Sequence, residues 1–411
     1  MTTSRKDLGV FARELLRDPR LFNKFLAAVE GAGLIGEAKN ALALYVGATS
    51  RLLVEPVNVV IRGPSAAGKN WVATRVLSYI PRSEVVKLTS ASARSWNYAK
   101  DEFVNKIVYL AERNDASGMV EPMRLFISEG RLEHRVTEWV ERRRVTVTHI
   151  ANGPVACIST TNRSLEIDDA TRHVSVWVDP SAEQTRRIVM AYHRGSRRPP
   201  EAQFKTWKRL QRILTVRADR LGNGDGIAFP SWWDVVAKWV FVSDVSVRRY
   251  YPAFVEACRA VCLIRSFQDG RREADERLTI NFADYVITAV VFESVFVESL
   301  QRQDGSALQI ADTIRKISGD CGDEPVQAKD LAAELQIPMG QAYKRLREAV
   351  ASGAVKRVNQ PEKGNRKVYL PVPRSRFVPS PNVVFAEAKI PKEVRVVHPL
   401  TGEVLSFERK R

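Results

Sequence analysis

The residues Gly63-Pro64-Ser65-Ala66-Ala67-Gly68-Lys69-Asn70 could handle phosphates. Two glycines let the backbone turn tightly and approach a polyanion, while the lysine adds a point charge for the outer phosphates. A strand-like run, Val57-Asn-Val-Val-Ile-Arg62, enters this loop, and a helical pattern with Val72, Val76, Leu77 and Ile80 on one face leaves it. That context predicts a phosphate-binding loop at a helix N-terminus, where converging N–H groups and the helix dipole favour negative charge. Residues 63–71, Trp71 included, are therefore expected to bind ATP. Asn70 stands where Ser or Thr ordinarily meets magnesium; its amide oxygen is a hard neutral ligand that could still hold Mg²⁺.

A second set of polar residues ends the apolar runs. Ile107-Val-Tyr-Leu-Ala111 ends at Glu112, and Val155-Ala-Cys-Ile-Ser159 ends at Thr160-Thr161-Asn162. Ligands bind at the carboxyl ends of strands in an open parallel sheet, so these groups can face one nucleotide. Glu112 is the candidate base that orients an attacking water, and Asn162 or Thr161 the group that senses the γ-phosphate. Ordinary strand-end and turn residues would look the same. Ala111 occupies a position where many such enzymes carry a metal-binding aspartate, which leaves Glu112 to serve water and, indirectly, metal. Arg172 precedes the last strand and in a ring could reach a neighbour's γ-phosphate; a salt bridge to Asp168 or Asp169 is the plain alternative.

A third set is basic. Arg131 to Thr137 and Arg144 to His149 alternate in the β manner around Glu141-Arg142-Arg143, which predicts a hairpin over 131–149. Arg142, Arg143 and Arg144 could meet single-stranded DNA in a central channel, or the ribbon could be a solvated edge blunted by charge. Helical patterns over Ser306 to Ile317, Ala328 to Leu335 and Gln341 to Ala351 are followed by strands Val355 to Val358 and Lys367 to Leu370. This order is a winged helix-turn-helix. Gln341, Lys344 and Arg345 face out of its third helix, Lys363, Arg366 and Lys367 lie on the wing, and duplex DNA or a protein would be the partner.

The elements that must position these groups divide the 411 residues as follows: a helical N-terminal region, 1–52; an α/β parallel-sheet core, 53–215; a helical lid, 216–300; the winged helix, 301–372; and a tail, 373–411. Val85 to Thr89 supplies a strand between the phosphate loop and the Glu112 strand, and Val174 to Val178 a fifth. Trp232, Trp233, Val236, Trp239 and Val240 form a stripe expected in the core. Arg248-Arg249 opens the next helix, Pro252 to Phe267, and one of the two could contact nucleotide from the lid. Val394 to Phe407 has the pattern of a hairpin around Pro399-Leu-Thr-Gly402, and the tail could be loosely ordered or a partner-binding ribbon. The net charge of +17 attracts polyanions. Four cysteines show no metal-type pairing and are expected as small buried hydrophobes. No apolar run is long enough to span a bilayer, and no signal peptide is visible, which predicts a cytoplasmic protein.

These motifs resemble those of P-loop ATPases from bacterial mobile elements and phages, often adjacent to or fused with primases. The likeness covers about residues 18–300 and rests on Asp18-Pro-Arg-Leu-Phe22, the Tyr45 to Leu53 helix, GPSAAGKN, Ile107 to Glu112, Ser128-Glu-Gly-Arg131, Ser159-Thr-Thr-Asn162 and Asp179 to Thr185. The arrangement is also similar to ring helicases of the minichromosome-maintenance and superfamily 3 type. The resemblance implies an AAA+-like P-loop core, a hexamer and translocation on DNA. It also implies that Asn70 is tolerated after the lysine. Unlike the fused forms, this chain lacks a zinc-binding cysteine cluster and a polymerase acidic pair, so priming would need a separate protein.

Overall fold

The computed structural model describes residues 5–88, 96–113, 120–140, 143–163, 165–193, 201–240, 242, 245–268, 271, 277–300, 305–318, 325–351, 355–360, 366–371, 376–390 and 393–409. Helices α1 (Arg5–Arg17), α2 (Leu21–Gly31) and α3 (Ala38–Thr49) open the chain. From Ala41 to Thr49 every residue of α3 is buried, as a helix apolar all round requires. Phe25 stacks on Tyr45 with ring centroids 4.1 Å apart, and Tyr79 Oη donates to the Ala28 carbonyl at 2.7 Å. The N-terminal helices are thus built into the core.

The chain then runs through β1 (Val59–Arg62), α4 (Lys69–Leu77), β2 (Val85–Leu88), β3 (Lys106–Leu110) and α5 (Val120–Glu129). The ribbon β4 (Arg131–Val140) and β5 (Arg143–Asn152) follows, then β6 (Val155–Thr161), α6 (Ile167–Ala170) and β7 (Val174–Trp177). Five strands form one parallel sheet in the order β2-β3-β6-β1-β7. This is an α/β protein with a parallel-sheet core that carries the glycine-rich loop between β1 and α4, as the motifs implied. One placement differs from expectation. In space β2 lies at the outer edge, and β6 separates β1 from β3. β6 is buried along its whole length whereas β2 is only partly covered, and only a strand shielded on both faces can take the centre.

Beyond the sheet lie α7 (Ala182–His193), α8 (Glu201–Arg220), β8 (Ile227–Ala228), α9 (Trp233–Lys238), α10 (Val247–Ile264), β9 (Leu278–Thr279) and α11 (Phe282–Leu300). The boundary expected at 215 falls inside α8, which runs unbroken, and the lid also contains the short parallel pair β8 and β9. Helix α10 begins at Val247 rather than Pro252; the proline gives up one backbone hydrogen bond without ending the helix. Trp233, Val236 and Val240 are buried as expected, but Trp239 is exposed and its Nε1 donates to Glu387 at 2.9 Å. Cys157, Cys258 and Cys262 are buried and unpaired in disulfides; Cys321 lies outside the described residues.

Helices α12 (Gly305–Ile317), α13 (Ala328–Leu335) and α14 (Met339–Ala351) pack with the antiparallel pair β10 (Val355–Gln360) and β11 (Arg366–Pro371). They enclose a separate small core containing Ile310, Ile314, Leu331, Leu346 and Tyr369. The last segment, with α15 (Pro381–Glu387), β12 (Glu393–Val397) and β13 (Val404–Glu408), returns to the main core. Phe377 is fully buried there, Tyr285 Oη donates to the Pro379 carbonyl at 2.6 Å, and Asn23 Nδ2 donates to the Pro399 carbonyl at 3.0 Å. Residues 376–390 and 393–409 thus strap α11 to α2 rather than trailing loosely.

Candidate active site

The phosphate loop owes its shape to three residues with positive φ: Gly63 at 149°, Ala66 at 64° and Gly68 at 89°. A Cβ on Gly63 would come within 2.5 Å of Val178 Cγ2, so close packing alone demands glycine. A Cβ on Gly68, by contrast, would meet nothing within 4 Å. Gly68 caps α4 from the left-handed region, leaving the first N–H groups of that helix for an anion. Lys69 Nζ donates to the carbonyls of Gly63 at 2.9 Å and Pro64 at 2.7 Å, and an ammonium keeps a third proton for a phosphate oxygen. Partial burial lowers the Lys69 pKa, opposed by the nearby Glu112 charge.

At the carboxyl edge of the sheet Ile61 pairs with Thr160, Arg62 with Thr161, and Leu110 with Ser159. That register brings Thr160 to the centre of the site. Its Oγ1 donates to Asn70 Oδ1 at 2.7 Å and accepts from the Glu112 backbone N–H at 2.9 Å. Tyr109 Oη also donates to Asn70 Oδ1, at 3.2 Å. The amide oxygen expected to meet magnesium thus already accepts two hydroxyl protons and has two lone pairs. Glu112 adopts φ 61°, an uncommon conformation for a side-chain-bearing residue, with its carboxylate exposed at the strand end.

Behind it, Arg113 is buried and paired with Asp169, which Arg124 reaches at 3.3 Å. His173 is buried beside them, and burial together with the Arg113 charge pushes its pKa down to about 4.

Of the predicted sensing pair, Thr161 is buried and its Oγ1 accepts from the Arg163 N–H at 3.1 Å, which is the work of a turn residue; Asn162 is exposed just beyond the strand. Arg172 pairs with neither aspartate carboxylate. Its guanidinium donates to Ser128 Oγ at 2.9 Å and to the Asp168 carbonyl, and burial with the adjacent Arg249 charge lowers its pKa. Arg249, considered at sequence level for a nucleotide contact, donates to Thr171 Oγ1 instead.

Trp71 Nε1 donates to the Gly33 carbonyl at 3.0 Å, and the Arg75 guanidinium lies 3.8 Å from the Trp71 ring centroid. The segment 33–37 is also held by Gln184, whose amide donates to the Ile35 carbonyl at 2.6 Å, and by the Asp179 N–H on Glu37 at 3.0 Å. Tyr109 and this segment were missed from sequence, and Thr160, read there among the polar strand ends, was given no role of its own.

The ribbon presents Arg143 and Arg144 to solvent, while Glu141 and Arg142 lie outside the described residues. Trp139, also missed, is 69% exposed, with the Arg144 guanidinium 5.3 Å from its ring centroid. On α14, Gln341 and Lys344 are exposed and Arg345 is half-buried; Arg366 opens β11, and Lys363 lies outside the described residues.

No family model and no curated protein matches this chain. Among solved structures it is similar to a full-length MCM homologue from Methanopyrus kandleri, at 14% identity and a TM-score of 0.43, over 73% of this chain and 63% of that one. It is also similar to the Holliday junction branch migration motor RuvB from Thermotoga maritima, at 14% identity and a TM-score of 0.26, over 92% of this chain and 100% of that one. The chain thus spans less than two thirds of the length of the MCM homologue. Likeness at this level says nothing about chemistry, so function rests on the residues themselves.

Proposed function

We propose that this chain is an ATP-dependent DNA motor, a ring-forming replicative helicase of a mobile element that works with a separate primase. One observation carries the proposal: Lys69, Asn70, Thr160 and Glu112 converge at the carboxyl edge of one parallel sheet, in whose connection to β6 a basic ribbon is inserted. ATP would lie with its phosphates on the loop and the first turn of α4, its outer charge met by Lys69. Glu112 would orient the attacking water, with Asn162 or Thr161 sensing the γ-phosphate. Magnesium would supply charge neutralisation when bound; Glu112 is a residue that would face it, and Asn70 Oδ1 would do so on release of the Thr160 or Tyr109 hydroxyl. For a neighbour's Arg172 to complete the site it must first leave Ser128 and the Asp168 carbonyl.

In a hexamer, single-stranded DNA would meet Arg142, Arg143 and Arg144, with Trp139 offering a ring to a base. Duplex DNA would meet residues 301–372 as a winged helix, through Gln341, Lys344 and Arg345 on α14 and Lys363 and Arg366 on the wing. The setting would be cytoplasmic; among the described residues no helix is long and apolar enough to cross a membrane. The test is ATP turnover with and without single-stranded and duplex DNA, beside Lys69→Ala. Stimulation lost in the variant supports the motor, whereas equal basal turnover in both proteins would sink it.

A second reading, a nucleotide-switched initiator, loader or regulator that does not unwind DNA, is favoured by Ala111 in the aspartate position and by the two hydroxyls on Asn70 Oδ1. Strand separation decides between them. Arg142→Ala with Arg143→Ala should abolish unwinding and spare duplex binding in a motor; an absent or unaffected strand-separation activity favours the switch.

A further inference from the structure

Helices α1 and α8 border a groove of about 210 Å³, remote in sequence from both the ribbon and α14. Arg13, Arg209, Arg212, Arg217 and Arg220 line it, and no carboxylate does among the described residues. Arg13 and Arg217 are engaged by other groups. Arg209, Arg212 and Arg220 are exposed side chains of α8, with no partner among the described residues. At 100° per residue these three fall within a stripe of roughly 80°, running about 16 Å along the helix axis. Arg209 and Arg212 stand three residues apart, where like charges face each other and destabilise the helix. Such crowding is relieved by a polyanion.

We infer that this stripe is a binding surface for the phosphate backbone of duplex DNA, separate from the ribbon and from residues 301–372; the inference rests on the DNA-motor reading above. About 16 Å of axis matches about five phosphates of one strand at 3.4 Å each. Guanidinium groups suit phosphate better than ammonium groups because they bond it with two parallel N–H groups. A single strand is the poorer fit, since it needs rings on which bases can stack. The ring at this groove, Phe267, is only 9% exposed, and Val216 beside it offers no π-face. Backbone contact of this kind carries no sequence information; it would hold the duplex in place while other elements act on it.

The test uses the full chain with Arg209, Arg212 and Arg220 all changed to Gln, which keeps most of each stem, beside a triple Arg→Lys counterpart. Affinity for a duplex oligonucleotide is measured from 50 to 200 mM salt, with sedimentation to follow oligomer mass. Losing three phosphate contacts should cut the slope of log K against log salt by about 2.7, so over that fourfold range wild type should lose roughly 40-fold more affinity than the Gln variant. The Lys counterpart should keep most of the wild-type slope, and turnover without DNA should be unchanged in both. A Gln variant with the wild-type slope overturns the surface while leaving the motor reading intact. A variant that keeps the slope but changes oligomer mass makes the groove a subunit contact and also overturns it. Wild type that binds no DNA at any salt overturns the motor reading along with it.

Discussion

Replacing Thr160 with valine preserves side-chain shape and removes one hydroxyl. That hydroxyl accepts from the Glu112 N–H at 2.9 Å and donates to Asn70 at 2.7 Å. Glu112 sits at φ 61°, a left-handed conformation that costs roughly 1–2 kcal/mol for a residue with a Cβ. A hydrogen bond contributes about 0.5–1.5 kcal/mol net, and stranding a buried donor costs about 1–3 kcal/mol. Without the hydroxyl, the conformation that aims the Glu112 carboxylate is therefore disfavoured by about 1–2 kcal/mol. That is a factor of about 5–30 in its population. Thr160→Val is predicted to lower kcat for ATP roughly 10-fold, whereas nucleotide Kd stays within about threefold because Lys69 and the Gly68 cap are untouched.

Steady-state turnover with a fluorescent-nucleotide titration separates the two quantities, and a thermal melt confirms folding. Thr160→Ser, which restores the hydroxyl, should recover most of the loss. An unchanged kcat in folded Thr160→Val would refute the reasoning, as would a Kd that rises in step with the lost turnover.

Asp169→Asn leaves Arg113 buried without its anion and should destabilise the protein by about 3–5 kcal/mol, read as a lower urea midpoint at unchanged m-value. His173 has a folded pKa of about 4 against an ordinary 6.5, so the unfolded chain takes up the proton first. Stability should thus fall as pH drops from about 6.5 toward 4, by up to ~1.4 kcal/mol per unit, and His173→Gln should flatten the curve between about pH 6.5 and 5, above most carboxylate titrations. Trp139→Ala should weaken binding of a single-stranded oligonucleotide by about 1–3 kcal/mol without changing DNA-free turnover. Equal affinities would remove the ring from the proposed DNA path.

What could be read from the residues depended on how local the physics was. The phosphate loop was legible because its whole chemistry lies in consecutive residues between a strand and a helix. The ribbon was legible because alternation survives along β4 and β5. The position of Thr160 was not. β6 is buried at every position, so burial gives no phase from which to tell which threonine faces Asn70. Only the pairing of Ile61 with Thr160 and Arg62 with Thr161 settles it. The contact of Arg172 with Ser128 was not legible either, because Ser128 lies far back in the sequence at the end of α5. The tail's hairpin was legible around Pro399-Leu-Thr-Gly402, but its docking was not, because that depends on Tyr285 and Asn23, which only the tertiary fold brings near.

The same long-range contacts connect the candidate site to the ribbon. Arg113 follows Glu112 directly and is buried against Asp169; Asp169 also takes Arg124 of α5; and Arg172, three residues on, donates to Ser128 at the end of α5. Helix α5 ends at Glu129 and β4 begins at Arg131, with Gly130 at φ 67° as the joint. The ribbon's base is packed tightly as well, since a Cβ on Gly153 would stand 2.5 Å from the Gly130 carbonyl oxygen. Under the proposed function, a shift of Glu112 toward a γ-phosphate would therefore pull on a buried ion pair instead of on solvent, and that pair holds the helix from which the ribbon springs. Because close-packed groups of this kind move between discrete arrangements, the Arg113–Asp169–Arg124 cluster is where phosphate chemistry and ribbon position must be coupled if they are coupled at all. A double-mutant cycle between Thr160→Val and Arg124→Gln, read in DNA-stimulated turnover, measures that coupling directly: additive effects would mean that the two ends act independently.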